Sequence, residues 1–188
     1  MGDPGLVVGV DGPAAYAEPM TGRGVADLAA AGWNAVGMRV TARVDYAVRA
    51  ARELGLAHPG TLTAEAIADR QDLPLAFTKQ ILARMRRAGV VAAQRGGEGG
   101  YRLGSPPDHV SVADIVRAVE GPLADVRGEP PEELEYPGDG EVLRRLWIAT
   151  RASLRSVLEH VTVADLATGD LPAGVDELTA QAGAWHRR

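Results

Sequence analysis

The feature that most constrains this chain is the string Arg95-Gly-Gly-Glu-Gly-Gly100 between two short runs of strand character, Val90–Gln94 and Tyr101–Leu103. Four glycines in six residues exclude a helix there and suit the tip of a β-hairpin. The hairpin follows directly on an amphipathic segment, Leu75–Ala88, with Leu75, Ile81, Leu82 and Met85 assigned to its buried side and Gly89 as the stop. Before that helix, Gln71-Asp72-Leu73-Pro74 reads as a tight turn. Before the turn, Thr63 is placed to cap a short helix over Ala64–Arg70. A first helix over Arg43–Leu56 precedes the breaker His58-Pro59-Gly60. Its apolar residues Val44, Ala47, Val48, Ala51 and Leu54 share one face.

Helix, helix, turn, helix and glycine-tipped hairpin, in that order, is the winged helix-turn-helix arrangement. The fold class expected is therefore mainly α with a small β-hairpin wing, followed by a long helix suited to dimerisation. The 188 residues carry a net charge of −5, which at first argues against a polyanionic partner. The average conceals a split. Residues 38–104 hold ten arginines and Lys79 against six acids, a local balance of +5, and the remainder carries −10. The basic segment is the one with the helix-turn-helix order, which points to nucleic acid.

The outward side of Leu75–Ala88 is assigned Ala76, Phe77, Thr78, Lys79, Gln80, Arg84 and Arg87. Near the start of such a helix, small and amide side chains can reach base edges in the major groove. Gln80 suits adenine, and Phe77 or Thr78 suits a thymine methyl. Lys79 and Arg84 suit phosphates or guanine. Arg95, with Gly97, Gly99, Gly100 and Tyr101, forms the wing's candidate contact, where a guanidinium on a narrow hairpin suits the minor groove. Thr41 and Arg43, at the start of the first helix, complete the candidate DNA-binding set.

Downstream, Ser111 and Asp114 form a capping-box pattern before a helix over Val112–Val119, which Gly121-Pro122 ends. Residues 121–140 read as a Pro/Gly-rich acidic loop. Asp125, Glu129, Glu132, Glu133, Glu135 and Asp139 are enough carboxylates for a hard cation, but their spacing matches no calcium loop. A solvated acidic loop is the simpler reading. The longest helix, Glu141–His160, carries Leu143, Trp147, Thr150, Leu154, Val157 and Val161 at alternating spacings of four and three, a heptad seam widened by Leu146 and Leu158. These eight residues are the candidate dimer interface. Thr162 is placed to cap a last turn over Ala164–Ala167, and residues 169–188 read as a frayed tail. Residues 1–37 are weakly patterned and read as an extension, with Met38 opening the ordered domain of residues 38–120.

No cysteine is present, which removes disulfides, thiolate catalysis, cysteine zinc sites and cysteine-bound iron–sulfur clusters. No apolar run reaches the roughly 20 residues of a membrane span, so a cytoplasmic protein is expected. The four histidines do not cluster, and no G-x-S-x-G, H-E-x-x-H or phosphate-loop string occurs, so no enzyme is expected.

The strings Met38-Arg-Val-Thr-Ala-Arg-Val-Asp-Tyr-Ala-Val-Arg-Ala51, Ile81-Leu-Ala-Arg-Met-Arg-Arg-Ala-Gly-Val-Val91, Arg95-Gly-Gly-Glu-Gly-Gly-Tyr-Arg-Leu103 and Val112-Ala-Asp-Ile-Val-Arg-Ala-Val-Glu-Gly-Pro-Leu123 resemble the Rrf-two family of bacterial transcription regulators. The resemblance runs over about residues 38–167. It implies a homodimer on a dyad-symmetric double-stranded DNA operator, with the long helix crossing its partner's copy. A repressor is expected, with an activator as the alternative. Cluster-binding members carry three cysteines in the loop matching residues 121–140, and none stands here. Asp45 matches a position from which some members supply a non-cysteine ligand, but one carboxylate cannot hold a cluster. The expectation is a member without a metal or cofactor. A regulator working mainly through protein contacts, or through an unidentified small ligand, is the alternative.

Overall fold

The structure is a computed structural model and describes residues 40–96 and 99–186. Helix α1 spans Ala42–Leu56, with Thr41 as its N-cap: the Thr41 hydroxyl oxygen accepts the Val44 N–H at 3.2 Å. Three of its buried residues are alanines, Ala47, Ala50 and Ala51, so neighbouring elements pack close to its backbone. Thr63 caps α2, Ala64–Gln71, in the same manner, and Asp72 closes it in the left-handed conformation. Helix α3, Leu75–Arg87, follows the turn. Strands β1, Val91–Gln94, and β2, Gly100–Leu103, pair antiparallel with Val91 opposite Leu103 and Gln94 opposite Gly100.

Helix α4, Val112–Glu120, opens on the expected capping box: Ser111 accepts the Asp114 N–H, and the Asp114 carboxylate accepts the Ser111 N–H, both at 3.1 Å. The core of this unit gathers Leu54, Ile67, Ile81, Leu82, Met85, Val91, Leu103, Ile115 and Val119, each at most 2% exposed. At these positions the elements named above are held by ordinary apolar burial.

Residues 121–140 include a 3-10 turn, Pro131–Glu133. Glu129, Glu132, Glu133, Glu135 and Asp139 are exposed and Asp125 is half-buried, while Leu123, Pro131 and Leu134 are buried, so the segment is tucked down rather than wholly solvated. Helix α5, Glu141–Leu158, follows and buries no residue. The chain then returns to the core. Val112 N–H donates to the Val161 carbonyl at 2.8 Å and Val163 N–H to the Val110 carbonyl at 2.9 Å. A second capping box, Thr162 with Asp165, starts α6, Val163–Thr168. Val163 is fully buried against α1, where a Cβ on Gly55 would stand 2.6 Å from Val163 Cγ1. A glycine inside α1 costs helix stability, and this close approach is what it makes room for.

Two expectations are corrected here. Val161, assigned to the helical seam, lies beyond the end of α5 and is 6% exposed within the chain's own core. The residue terminating the heptad pattern is thus used to anchor the return strand-like segment. The tail, expected to be frayed, contains helix α7, Ala173–Thr179. Its weak apolar pattern hid it, because α7 buries nothing. The expectations for residues 1–37, Met38 and Gly97 lie outside the described residues.

Candidate nucleic-acid interface

The register of α3 decides what it shows to solvent. Thr78, Ile81, Leu82 and Met85 are its buried residues, at spacings of three, one and three. The opposite stripe is therefore Ala76, Lys79, Gln80, Arg84 and Arg87, all exposed. Five of the seven side chains assigned outward by the sequence stand there. Thr78 does not. It is 1% exposed, and its hydroxyl donates to the Pro74 carbonyl at 3.2 Å. That local bond satisfies the hydroxyl and lets a threonine occupy the apolar stripe, so Thr78 cannot touch a base from this position. Phe77 is half-buried, edge-on to Tyr46 with ring centroids 5.6 Å apart. Leu75, expected inside, is 37% exposed in the first turn.

Three cations on this surface have partners within the chain. Lys79 Nζ lies 2.7 Å from Glu65 Oε1 on α2, and the bond to Lys79 holds the Glu65 carboxyl below the usual carboxylate range. Arg84 Nη1 donates to the Val119 carbonyl at 3.2 Å. Arg43 Nη1 donates to Glu120 Oε2 at 3.0 Å, and the Thr41 hydroxyl donates to Glu120 Oε1 at 2.6 Å. The last two residues of α4 thus hold three of the candidate DNA-contact residues. Sequence reasoning passed over Glu120 because it falls in a helix end outside the basic segment.

The wing is fastened to the helical unit by a bridge that sequence reasoning also missed. Leu62, between α1 and α2, exchanges two backbone hydrogen bonds with Tyr101, at 2.9 and 2.7 Å. A Cβ on Gly100 would stand 2.7 Å from the Leu62 carbonyl oxygen. The glycine at 100 therefore serves the chain's own packing. Tyr101 is half-buried against the core. At the tip, Gly99 N–H donates to the Gly96 carbonyl at 2.9 Å, and Gln94, Arg95 and Gly96 are exposed. Of the wing residues assigned to DNA, Arg95 is the one presented to solvent as a free-standing cationic side chain on the hairpin.

The candidate seam of α5 divides. Leu143 and Leu146 are exposed, together with Val142 and Ile148, which the seam did not include. Trp147, Thr150, Leu154, Val157 and Leu158 are half-buried. Trp147 Nε1 donates to the Tyr136 hydroxyl at 3.0 Å, so this edge is partly covered by the segment before the helix.

A winged helix-turn-helix unit with an outward basic stripe on its second turn-joined helix is the architecture of a transcriptional regulator. Comparison with known proteins gives the family. The family model described as "Iron-dependent Transcriptional regulator", Rrf2, matches residues 40–169, and the chain belongs to that family. A Mycobacterium tuberculosis protein assigned as an HTH-type transcriptional regulator is 43% identical over 142 residues, covering 75% of this chain and 88% of that protein. CymR of Bacillus subtilis is 34% identical over 132 residues, covering 70% of this chain and 91% of CymR. Its solved structure, described as that of the global cysteine regulator of B. subtilis, aligns with a TM-score of 0.61 over 71% of this chain and 98% of that one. IscR of T. potens is 28% identical, with a TM-score of 0.57 over 80% and 98%. The protein is thus a winged-helix transcriptional regulator and not an enzyme.

The family description implies iron. The donor set here does not fit it. The sequence holds no cysteine, and among the described residues no three His, Cys, Asp or Glu side chains gather as a metal site. Asp45 is exposed and paired with Arg49 at 3.4 Å. The six carboxylates of residues 121–140 likewise form no such group.

Proposed function

We propose that this regulator binds a dyad-symmetric double-stranded DNA operator as a homodimer and represses transcription in the cytoplasm, without an iron–sulfur cluster. The observation that carries the reading is the exposed stripe Ala76–Lys79–Gln80–Arg84 on α3, whose opposite face is core. A helix fixed in that way presents small and amide groups to base edges near its start and cations to phosphates further along. Arg95 on the wing adds a second contact, to the minor groove. Lys79, Arg43 and Arg84 exchange their present partners for phosphates on binding.

Self-association is supported by α5, an 18-residue helix with no buried residue and with Val142, Leu143 and Leu146 open to solvent. Absence of a cluster is supported by the lack of any thiolate. No helix among the described residues is long and apolar enough to cross a membrane.

The test is selection of binding sites from random duplexes, followed by fluorescence anisotropy across a salt series. The expected result is a palindromic site whose affinity falls linearly in log–log with salt, by a slope of about −0.9 per phosphate contacted. A salt-independent or sequence-indifferent interaction overturns the reading. Anaerobic reconstitution yielding stoichiometric iron and sulfide overturns its cluster-free part. Exposed Leu171, Leu178 and Trp185 around α7 favour one second reading, regulation through a protein partner, for which sequence-specific binding would be absent.

A further inference from the structure

Between residues 121–132, the end of α4 and the middle of α5 lies a cleft of about 540 Å³. That volume falls in the range of small-molecule sites, roughly 300–1,000 Å³. Three arginines line it from two helices, Arg117 from α4 and Arg151 and Arg155 from α5, together with the acids Asp125 and Glu132. Leu123, Pro122 and Pro130 supply apolar wall. None of these arginines belongs to the DNA-facing stripe.

The partners of the guanidiniums show what they are set to hold. Glu132 reaches from the cleft wall to place Oε2 at 2.6 Å from Arg151 Nη1, and the Arg151 side chain is 16% exposed. Its own backbone N–H, and then Arg151, keep the Glu132 carboxyl below the usual carboxylate range. Glu159, one turn past Arg155, contacts Arg117 and lies 3.6 Å from Arg155 Nε. Asp114 also lies 3.5 Å from Arg117 Nη1, so three carboxylates of the chain itself, Glu132, Glu159 and Asp114, sit on the three guanidiniums beside an apolar wall. Guanidinium favours carboxylate by its planar, forked donor geometry. The three acids are each more than a third exposed, so water screens these internal pairs from the acid side, least at Glu132, whose partner Arg151 is largely covered. An incoming acid with two carboxylates and a short hydrocarbon link can take the places of Glu132 on Arg151 and of Glu159 on Arg155.

We propose that this cleft binds a small aliphatic dicarboxylic acid as the regulator's effector, with Arg151 and Arg155 as its principal holders and Glu132 as an internal competitor. The proposal rests on the regulatory reading above but concerns binding alone, and it is tested without DNA.

Isothermal titration of the full chain with glutarate, butyrate and inorganic phosphate is the experiment. Glutarate is expected to bind, with butyrate weaker by about tenfold or more for the loss of one charged contact. Arg151→Gln is expected to abolish binding, and Glu132→Gln to strengthen it several-fold by removing the competing carboxylate. Opposite signs at two touching residues do not arise from a general loss of structure, which circular dichroism of both variants checks. Absence of glutarate binding, phosphate binding in its place, or equal binding by wild type and Arg151→Gln each overturns the proposal. Operator affinity of ligand-free Arg151→Gln should equal that of wild type. If the wild type binds glutarate but no operator, the regulatory reading fails while the cleft stands.

Discussion

Helices α3 and α5 carry the same kind of amphipathic pattern, yet α3 buries four residues and α5 buries none. In α3 the apolar stripe meets α1, α2 and α4, and the polar stripe is left for a partner. In α5 the apolar arc itself is the part left over, with Leu143 and Leu146 open and Trp147 half-covered by Tyr136. Periodicity reports that a helix has an apolar side. It does not report whether that side is satisfied within one chain.

The contrast is broken most directly by truncating one residue from each helix. Leu82→Ala in α3 should cost about 2–5 kcal/mol in urea unfolding, as for other fully buried leucines. Leu146→Ala in α5, measured at concentrations where the protein is monomeric, should stay within about 0.5 kcal/mol. Comparable losses would mean that α5 is held by its own chain. Placing charge on the open arc sharpens the point. The double variant Leu143→Glu, Leu146→Glu should weaken self-association by about 3 kcal/mol, more than a hundredfold, in sedimentation equilibrium, with helicity retained. An unchanged dimer would move the interface elsewhere.

On the reading side, Arg95→Ala should weaken operator binding by about 1–3 kcal/mol at fixed salt while leaving the urea midpoint in place. Equal affinity would remove the wing from the site. The smallest effect concerns acid. Glu65 and Glu132 both have carboxyl groups held below the usual range. Their contributions are therefore complete above the unfolded value of about 4.3 and disappear as pH falls through the lower folded values. The urea midpoint should drop below about pH 4, and Glu132→Gln should flatten part of that drop. A midpoint independent of pH down to 3 would show that neither pair matters in solution.

Much of the reader was legible in the sequence because its determinants are local. Thr63, Ser111 and Thr162 announce helix starts through bonds to residues three away, and the glycine string announces the hairpin. What escaped was non-local or ambiguous. Thr78 looks polar but satisfies itself on Pro74. Val161 continues a heptad count past the point where the helix stops. The Leu62–Tyr101 bridge and the hold of Glu120 on Thr41 and Arg43 join residues 39 and more positions apart, with no pattern to mark them. The arginines of the cleft are spread over two helices, and their convergence exists only in three dimensions.

The return of the chain at Val161–Val163 has a consequence for synthesis. Residues 121–160 are an excursion whose two ends are pinned side by side in the same core, by Val112 to Val161 and Val110 to Val163. The DNA-reading unit lacks its last core side chain until residue 163 has emerged, by which time the whole of α5 has been made. A nascent chain therefore completes its reader and its arm together, and a truncated product ending within α5 lacks the piece that seals the reader against α1. Because closing a longer loop costs only about 0.6 kcal/mol per doubling, the excursion between those pins can change in length with little effect on the unit that holds it.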